Sequence, residues 1–507
     1  MKNYDLTKDE WDYINSYLQT RGLPVDRNLT FNDIPLPDTY SEVRSRDEII
    51  SDVHAFETEL YPGITIGIPM VLANMVCVAG VDAIVAVQRE GGLGIPPQML
   101  DLKDRLEMLE RIGRAESAYI DNPLTISPDK TLAEAKQLMD KFGIYSLVVV
   151  DAEYRPIGIL STRDWRYEDD NTKTVATLMG RRRNGGVYSA PKNISFEDAG
   201  QILRKHRIEK LPLVDKHDRL VALITAHGLF YKHHHPRSTG DGKGRFLKVG
   251  SVGVGRSFTA DHLKQVEAQV RKGICMLLID TARAFSINAK EAVEGVRKRF
   301  PKLPLIVGNT ATPEGAKALF EWGADIVKVG IGPGEACRTR QIGIGIPQLS
   351  AVARCSAIAE RFRKEGRNAA IIADGGIKNP GDTAKAIIAG AAAVMTGRLF
   401  AGTVESAADT DVDDDGRRIK EYVGSASFKA QRDRISHGTL DKKRRPEGVA
   451  KLVPVIGTIA DVVNEHIGGL ASMMSMQGVR TISELRLKGK FALPQTTAGL
   501  FEGIKKK

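Results

Sequence analysis

The chain has 507 residues, 42% apolar and 27% charged, with a formal net charge of +10. That is room for about three average domains, or for one barrel of about 250 residues or more with a smaller insert. No apolar run approaches the ~18 residues of a membrane helix, and the charged N-terminus has no leader-like core. Four scattered cysteines (Cys77, Cys275, Cys337, Cys355) suit neither a disulfide framework nor a metal spacing. A reduced, soluble, cytoplasmic protein is expected. Between Gly416 and Lys451, eleven Lys or Arg face four Asp or Glu, so most of the excess charge sits in one segment. Without interleaved aromatics, such a patch fits a loop near a small anionic ligand at least as well as a nucleic-acid groove. Neither nucleic acid nor a membrane is expected as a partner.

In chain order, the run Thr65 to Leu72 reads as a strand. A repeat follows: the segment beginning TISPDKTLAEA at Thr125 returns about 64 residues later, aligning Ala135 with Ala199, Asp151 with Asp215 and Ser161 with Thr225. Each copy reads as a helix, an apolar strand, a turn and a return strand. In the first copy these are Leu147 to Val150, Asp151 to Pro156 and Ile157 to Leu160. Two copies make a paired module rather than a solenoid. The pair resembles tandem CBS domains, which commonly bind adenine or guanine nucleotides such as ATP or GTP in a regulatory role. A purely architectural insert is the alternative. The run His233 to His235 before Pro236 reads as an exposed linker.

Beyond the repeat, strand-like runs at Met276 to Asp280, Leu305 to Val307, Ile326 to Val329, Ala370 to Ala373 and Ala393 to Met395 alternate with helical stretches. The helices are Asn288 to Arg299, Thr312 to Trp322, Gln348 to Lys364 and Asp382 to Ala389. Alternation implies a parallel sheet, and no GxGxxG or GxxxxGK[ST] follows a strand. The expectation is a (β/α)8 TIM barrel from residues 1–117 and 236–507, with the repeat inserted at 118–235. Its functional residues belong just after strand C-termini, where Asp280, Asn309, Cys337 and Asp374 fall.

The stretch KVGIGPGEACRTRQIGIGIPQLS from Lys328 surrounds Cys337 with glycines and with Arg338 and Arg340. Glycines let backbone approach a ligand closely, and neighbouring cations favour a nucleophilic thiolate. Two more glycine turns, Asp374-Gly-Gly376 and Gly397-Arg398, follow later strands and read as a phosphate cradle. Asp374 suits ribose hydroxyls, since a carboxylate accepts from two vicinal O–H groups. A nucleoside monophosphate is a reasonable substrate class. Asp411 to Gly416 starts like a calcium loop but carries Tyr422 at the twelfth position, so it reads as a barrel loop. Cys77, Cys275 and Cys355 read as core residues.

With LTFNDIPLPDTYSEV (from Leu29), EGGLG (Glu90), IDTA (Ile279), GNTAT (Gly308), GIGPGEACRTR (Gly330), DGG (Asp374), EYVGSAS (Glu421) and PEG (Pro446), the chain resembles the IMP dehydrogenase and GMP reductase family. The resemblance implies that Cys337 attacks purine C2, with Thr339 and Glu447 handling the departing ammonia. It implies substrate contacts from Met75, Asp374, Gly376, Gly397, Tyr422, Gly424 and Ser425. Asp280 and Asn309 would face the nicotinamide, and the carbonyls of Gly332, Gly334 and Cys337 would hold potassium or another monovalent cation. Family members are typically tetramers, or octamers when CBS pairs associate.

Within the family, dehydrogenases carry an Arg-Tyr pair before the PEG motif, and here RDRISHGTLDKKRR holds none. Reductases carry Ala-Asn-Met where dehydrogenases usually carry Ser-Pro-Met, and this chain has Ala73-Asn74-Met75. The expected activity is therefore an NADPH-dependent GMP reductase. IMP dehydrogenase with NAD is the alternative, and a non-catalytic nucleotide sensor the third. Three departures mark this chain: Glu335 and Arg338 replace the usual Ser and Thr of the cysteine loop, Arg398 replaces the usual Ser after Gly397, and Pro97-Gln98 replaces a His-Lys pair. A bare carboxylate beside a phosphate is repulsive, so Arg398 is expected both to grip the phosphate and to neutralise Glu335.

Overall fold

A computed structural model describes residues 4–115, 119–180, 186–241, 244–424 and 450–492, and the side chains of 231–233 are left aside. The chain divides into two units: residues 1–112, 237–239 and 247–507 in the first, and 113–236 with 240–246 in the second. The second unit thus starts slightly earlier than the repeat alone indicates and takes in a short return segment. Among the described residues, no helix is long and apolar enough to cross a membrane.

The first unit is a nearly closed barrel of eight parallel strands. They are β1 (Met70–Leu72), β2 (Leu93–Gly94), β3 (Val249–Gly253), β4 (Met276–Asp280), β5 (Leu305–Thr310), β6 (Ile326–Val329), β7 (Ala370–Asp374) and β8 (Ala393–Thr396). They neighbour one another in the order β3-β4-β5-β6-β7-β8-β1-β2. Strand side chains alternate between faces, so one face of each strand fills the barrel. Met276 and Leu278 on β4, Ile306 on β5, Ile326 on β6, Ile372 on β7 and Ala393 and Met395 on β8 form that interior. The same alternation carries Asp280, Lys328 and Asp374 onto the inward face, one step above the apolar layers.

The expected strand Thr65 to Leu72 is in fact two. Ile64–Ile66 pairs antiparallel with Thr58–Tyr61, and the barrel strand begins only at Met70. Pro69 cannot donate to a ladder, and Gly67 passes so close to Arg237 that a Cβ would lie 1.9 Å from its carbonyl oxygen. The chain therefore bends between them. The hairpin packs Leu60 and Ile66 into the barrel core, ahead of the N-terminal end of β1. The expected helices are present at Ile287–Arg299, Pro313–Trp322, Gln348–Lys364 and Pro380–Ile388. Thr312 and Asn379 cap the second and fourth, each followed by a proline in the first turn.

The second unit shows the repeat as structure. Helices Leu132–Phe142 and Phe196–His206 each precede a two-stranded antiparallel pair, Ser146–Val150 with Pro156–Ser161 and Lys210–Val214 with Leu220–Thr225. The aligned aspartates do identical work. Asp151 accepts from the amide and Nε of Arg155, and Asp215 accepts from the amide and Nε of Arg219, closing the same turn twice. Val148, Val150, Leu220 and Leu223 form a shared core between the two sheets. His233 and His234 lie in the helix Ala226–His234, not in a linker. Phe230 packs on His234 at 4.0 Å between ring centroids, an i,i+4 contact that extends the last turn.

A helix Ile459–Met476 packs on Pro380–Ile388 and buries His466, whose Nε2 lies 2.8 Å from Thr383 Oγ1. Burial disfavours the imidazolium and pulls the His466 pKa down from 6.5 to about 4. The neutral ring is the folded form, so its contribution is complete above the unfolded pKa and is lost as pH falls toward 4. Acid unfolding of the wild type should therefore steepen between about pH 6.5 and 4. His466→Gln, which keeps a hydrogen-bonding group without titrating, should flatten that part of a Tm-against-pH curve. An unchanged curve would show that His466 does not set it.

Candidate active site

Four neighbouring strands deliver the polar floor of the rim. Lys328 on β6 is 4% exposed as a side chain and lies between two carboxylates, 2.9 Å from Asp374 Oδ2 on β7 and 3.2 Å from Asp280 Oδ1 on β4. Burial alone pulls the ammonium down, but Asp280 and Asp374 outweigh it, and the Lys328 pKa is raised above its usual value. Asn309 on β5 completes the row, donating through Nδ2 to Asp374 Oδ2 at 2.8 Å and to the Gly330 carbonyl at 2.7 Å. Asn74, just after β1, donates to Asp280 Oδ2 at 3.0 Å. Gln348 donates to the Asp374 carbonyl at 3.1 Å, tying the helix after the cysteine loop to the same strand end.

Above this floor is a cavity of about 300 Å³ lined by Met75, Asp280, Asn309, Gly332, Gly334, Cys337, Thr339, Asp374, Gly397, Tyr422 and Gly424. All of these were singled out from sequence. Cys337 is half-buried, and its Sγ lies 2.9 Å from Thr339 Oγ1, at the start of the short turn Thr339–Ile342. Thr339 can accept from a thiol or donate to a thiolate. The Gly334 carbonyl accepts from the Cys337 amide at 3.0 Å, closing the cysteine turn and leaving that carbonyl a second lone pair.

The opposite wall depends on glycine. Gly375 and Gly376 have φ of +86° and +81°, a region that side chains avoid. A Cβ at Gly397 would lie 2.8 Å from both Met75 Sδ and the Tyr422 hydroxyl. Gly376 itself packs on Pro333 and Gln348, while Gly375 lines the cavity. Tyr422 is buried, and burial pushes its phenol pKa up, with Cys77, Asp374 and Glu335 adding to the effect and Arg398 opposing it. It is a neutral hydroxyl at any working pH.

Arg398 Nε lies 2.9 Å from Glu335 Oε2, so two of the departures noted in the sequence are paired with each other. Lys451 Nζ holds the other oxygen of Glu335 at 3.1 Å. Ser425 and Glu447 lie outside the described residues. Cys355 is buried as expected, but Cys77 is only partly so: its Sγ donates to the Val423 carbonyl and accepts from the Val423 amide. It pins the strand Arg418–Val423 to the rim rather than filling the core. Asp411 to Gly416 forms the hairpin turn before that strand, with Asp413 accepting from the Arg417 amide.

Lys328 escaped the motif reading, although a lone lysine within Ile-Val-Lys-Val on an inward-facing strand is a legible signal. Gln98, noted in the sequence only as a departure, is also a wall residue, lying along β3 where a Cβ on Gly253 would meet its Oε1 at 2.5 Å. The second unit has its own cavity of about 540 Å³, lined from both repeats by residues including Tyr145, Thr162, Asp164, Tyr188, His206 and Lys210. Tyr188 stacks on His206 at 3.9 Å. Asp164 accepts from the Ser161 amide and hydroxyl, both at 2.6 Å.

Residues 28–505 match the family model described as IMP dehydrogenase / GMP reductase domain. The chain is 39% identical over 474 residues to an inosine-5'-monophosphate dehydrogenase of Aquifex aeolicus, covering 92% of this chain and 93% of that one. It is 37% identical over 481 residues to the Bacillus subtilis protein of the same name, covering 94% of each. Among solved structures, a GMP reductase variant from Trypanosoma brucei in complex with guanosine 5'-monophosphate matches with a TM-score of 0.83 and 31% identity. That match covers 95% of this chain and 98% of the other. The chain belongs to the IMP dehydrogenase / GMP reductase family, oxidoreductases of purine nucleotides. The two relatives cited are named dehydrogenases and the solved structure a reductase.

Removing the central cation should be more damaging than removing either carboxylate's other partners. Lys328→Met leaves two half-buried carboxylates facing each other, and should cost roughly 3–5 kcal/mol of stability and at least about a hundredfold in kcat/KM. Because the folded pKa of Lys328 is raised, its contribution is fully present below its unfolded value and fades only as pH rises through the folded one. No stability loss through Lys328 is expected below about pH 10. Urea unfolding of Lys328→Met against wild type at several pH values checks both points, and a near-neutral effect would sink the argument.

Proposed function

We propose that the chain is an NADPH-dependent GMP reductase that converts GMP to IMP and ammonia. The observation that carries this reading is the hydrogen bond from Asn74 Nδ2 to Asp280. The Ala-Asn-Met motif of reductases supplies a side-chain donor there, whereas the proline of the dehydrogenase motif has none. The segment before Pro446 supports it, since it lacks the Arg-Tyr pair that activates water in a dehydrogenase.

In this reading Cys337 Sγ attacks purine C2, and the C2–N bond breaks as the C2–S bond forms. Thr339, already 2.9 Å from the sulfur, and Glu447 pass protons to the departing ammonia, which leaves poorly as an anion. NADPH supplies hydride to C2, after which the C–S bond breaks and the thiolate is restored. Asp374 takes the ribose hydroxyls, while Gly376, Gly397, Arg398, Tyr422, Gly424 and Ser425 hold the rest of the nucleotide. Met75 lies under the base.

The donor set fits a nicotinamide on the far side of the cavity, where Asp280, Asn309 and Gln98 form the wall. The Nδ2 of Asn309 is spent on Asp374 and Gly330, so its part is to fix that wall while its carbonyl remains an acceptor. Carbonyls of Gly332, Gly334 and Cys337 suit a monovalent cation such as potassium, which would order the cysteine loop. The second unit is read as a tandem CBS pair binding ATP or GTP as a regulator, with Asp164 on the ribose. The first repeat alone carries this aspartate, since Gly228 occupies the matching position of the second. A cytoplasmic homo-oligomer, tetramer or octamer, completes the reading.

IMP dehydrogenase is the second reading, favoured by the names of the similar sequences. Absorbance at the nicotinamide band separates them. GMP with NADPH should lose absorbance, while IMP with NAD should stay flat. Cys337→Ala should abolish the reaction, and Thr339→Val should slow it about a hundredfold. NADH production from IMP would overturn the reductase in favour of the dehydrogenase. Silence in both, with potassium and purine nucleotides present, would leave a nucleotide sensor.

A further inference from the structure

An ion triplet adjoins the glycine wall of the cavity, beside Gly397. Glu335 sits two residues before Cys337, with Arg398 on one carboxylate oxygen at 2.9 Å and Lys451 on the other at 3.1 Å. The side chains are 40%, 36% and 46% exposed, so water and solutes reach all three. Arg398 opens the short turn after Gly397, directly at the glycine wall. Lys451 comes from the strand Ala450–Pro454, where it stands opposite Tyr422. Directly opposed residues in an antiparallel pair present their side chains on the same face. Tyr422 faces Gly397, so that rung turns both the phenol and the ammonium toward the cradle.

One carboxylate between two cations is the arrangement that a phosphate also seeks. Two cations and a carboxylate sum to one positive charge, and a phosphate dianion brought beside an unmoved carboxylate is repelled. We propose that Glu335 is a built-in stand-in for the substrate's 5'-phosphate, and that Lys451 is a second phosphate-binding cation beside Arg398. In the free protein Glu335 holds both cations at the cradle. An arriving phosphate takes them over, and the carboxylate turns out to solvent. The protein thereby selects ligands carrying a terminal phosphate dianion, because a nucleoside gains nothing from displacing Glu335. This rests on the nucleotide reading of the cradle, but not on which member of the family's two reactions is run.

Calorimetric titration of the full chain with GMP, IMP and guanosine tests it without turnover. Glu335→Gln should bind GMP and IMP roughly three- to tenfold tighter, with guanosine unchanged. Glu335→Ser should act in the same direction and guards against a packing effect of the amide. Lys451→Met should weaken GMP and IMP roughly three- to tenfold and leave guanosine unmoved. Unchanged or weaker nucleotide binding in both Glu335 variants would overturn the stand-in, since the carboxylate would then be positioning the cations rather than competing for them. An equal loss for guanosine and GMP in Lys451→Met would remove Lys451 from the phosphate. Wild-type protein that binds guanosine as tightly as GMP would defeat the cradle reading itself, a result separable from either variant outcome.

Discussion

The rim of the barrel depends on one buried cation. Lys328 is all but closed to solvent, yet it remains charged because two carboxylates from strands on either side reach it within about hydrogen-bonding distance. An isolated ammonium at that depth would lose its proton or unfold the site. Isolated, the two carboxylates would repel each other across the barrel mouth. Together they lock Asp280 and Asp374 in place, and the next contacts outward (Asn74, Asn309 and Gln348) are all made to those two residues or to the adjoining backbone. The orientation of the whole polar floor follows from that charge.

Most of this architecture was legible because the strands alternate. Met276, Leu278 and Asp280 share a face, as do Ile326 with Lys328 and Ile372 with Asp374, so an apolar interior topped by charge is written into the period of the strands. Yet Lys328 is harder to read as a site residue, because glycine-rich motifs mark loops and the lysine precedes the loop. The resemblance has Asn309 face a cofactor, but it does not say that the amide nitrogen is bound to Asp374 and the Gly330 carbonyl. A donor's partner is a tertiary fact, and spacing along a chain does not supply it. The double strand at Thr65 to Leu72 illustrates a different limit: an unbroken apolar run hid a bend that only the approach of Arg237 to Gly67 makes necessary. The histidine run shows a local limit: proline at 236 restricts only the residue just before it, and the helix runs on to His234.

The repeat was legible for the opposite reason. Its aligned aspartates each close a turn with an arginine four residues on, so the identity of both partners and their spacing are local and survive in sequence. What the alignment could not reveal is where the copies differ in use. Asp164 in the first copy turns its carboxylate back onto Ser161 at the edge of a cavity, while the second copy carries Gly228 there. Two nearly equal folds therefore contribute unequally to a cavity lined from both copies.

The same contrast applies at the rim beside Gly397. Glu335 alone reads as a defect in an anion site, and Arg398 alone as a bulky intruder beside a glycine. Their pairing turns two apparent losses into a charge balance, which the sequence could suggest because both departures fall in known motifs. Lys451 could not be suggested that way. It lies in a strand of no motif, one of many basic residues in the segment, and it is distinguished by the rung it shares with Tyr422 and by its ion pair with Glu335. A β-ladder converts a distance of nearly thirty residues along the chain into a fixed side-by-side placement of a neutral donor and a cation. Where Tyr422 is held against Gly397, Lys451 is held near Glu335, so any shift of that ladder moves the donor and the cation together.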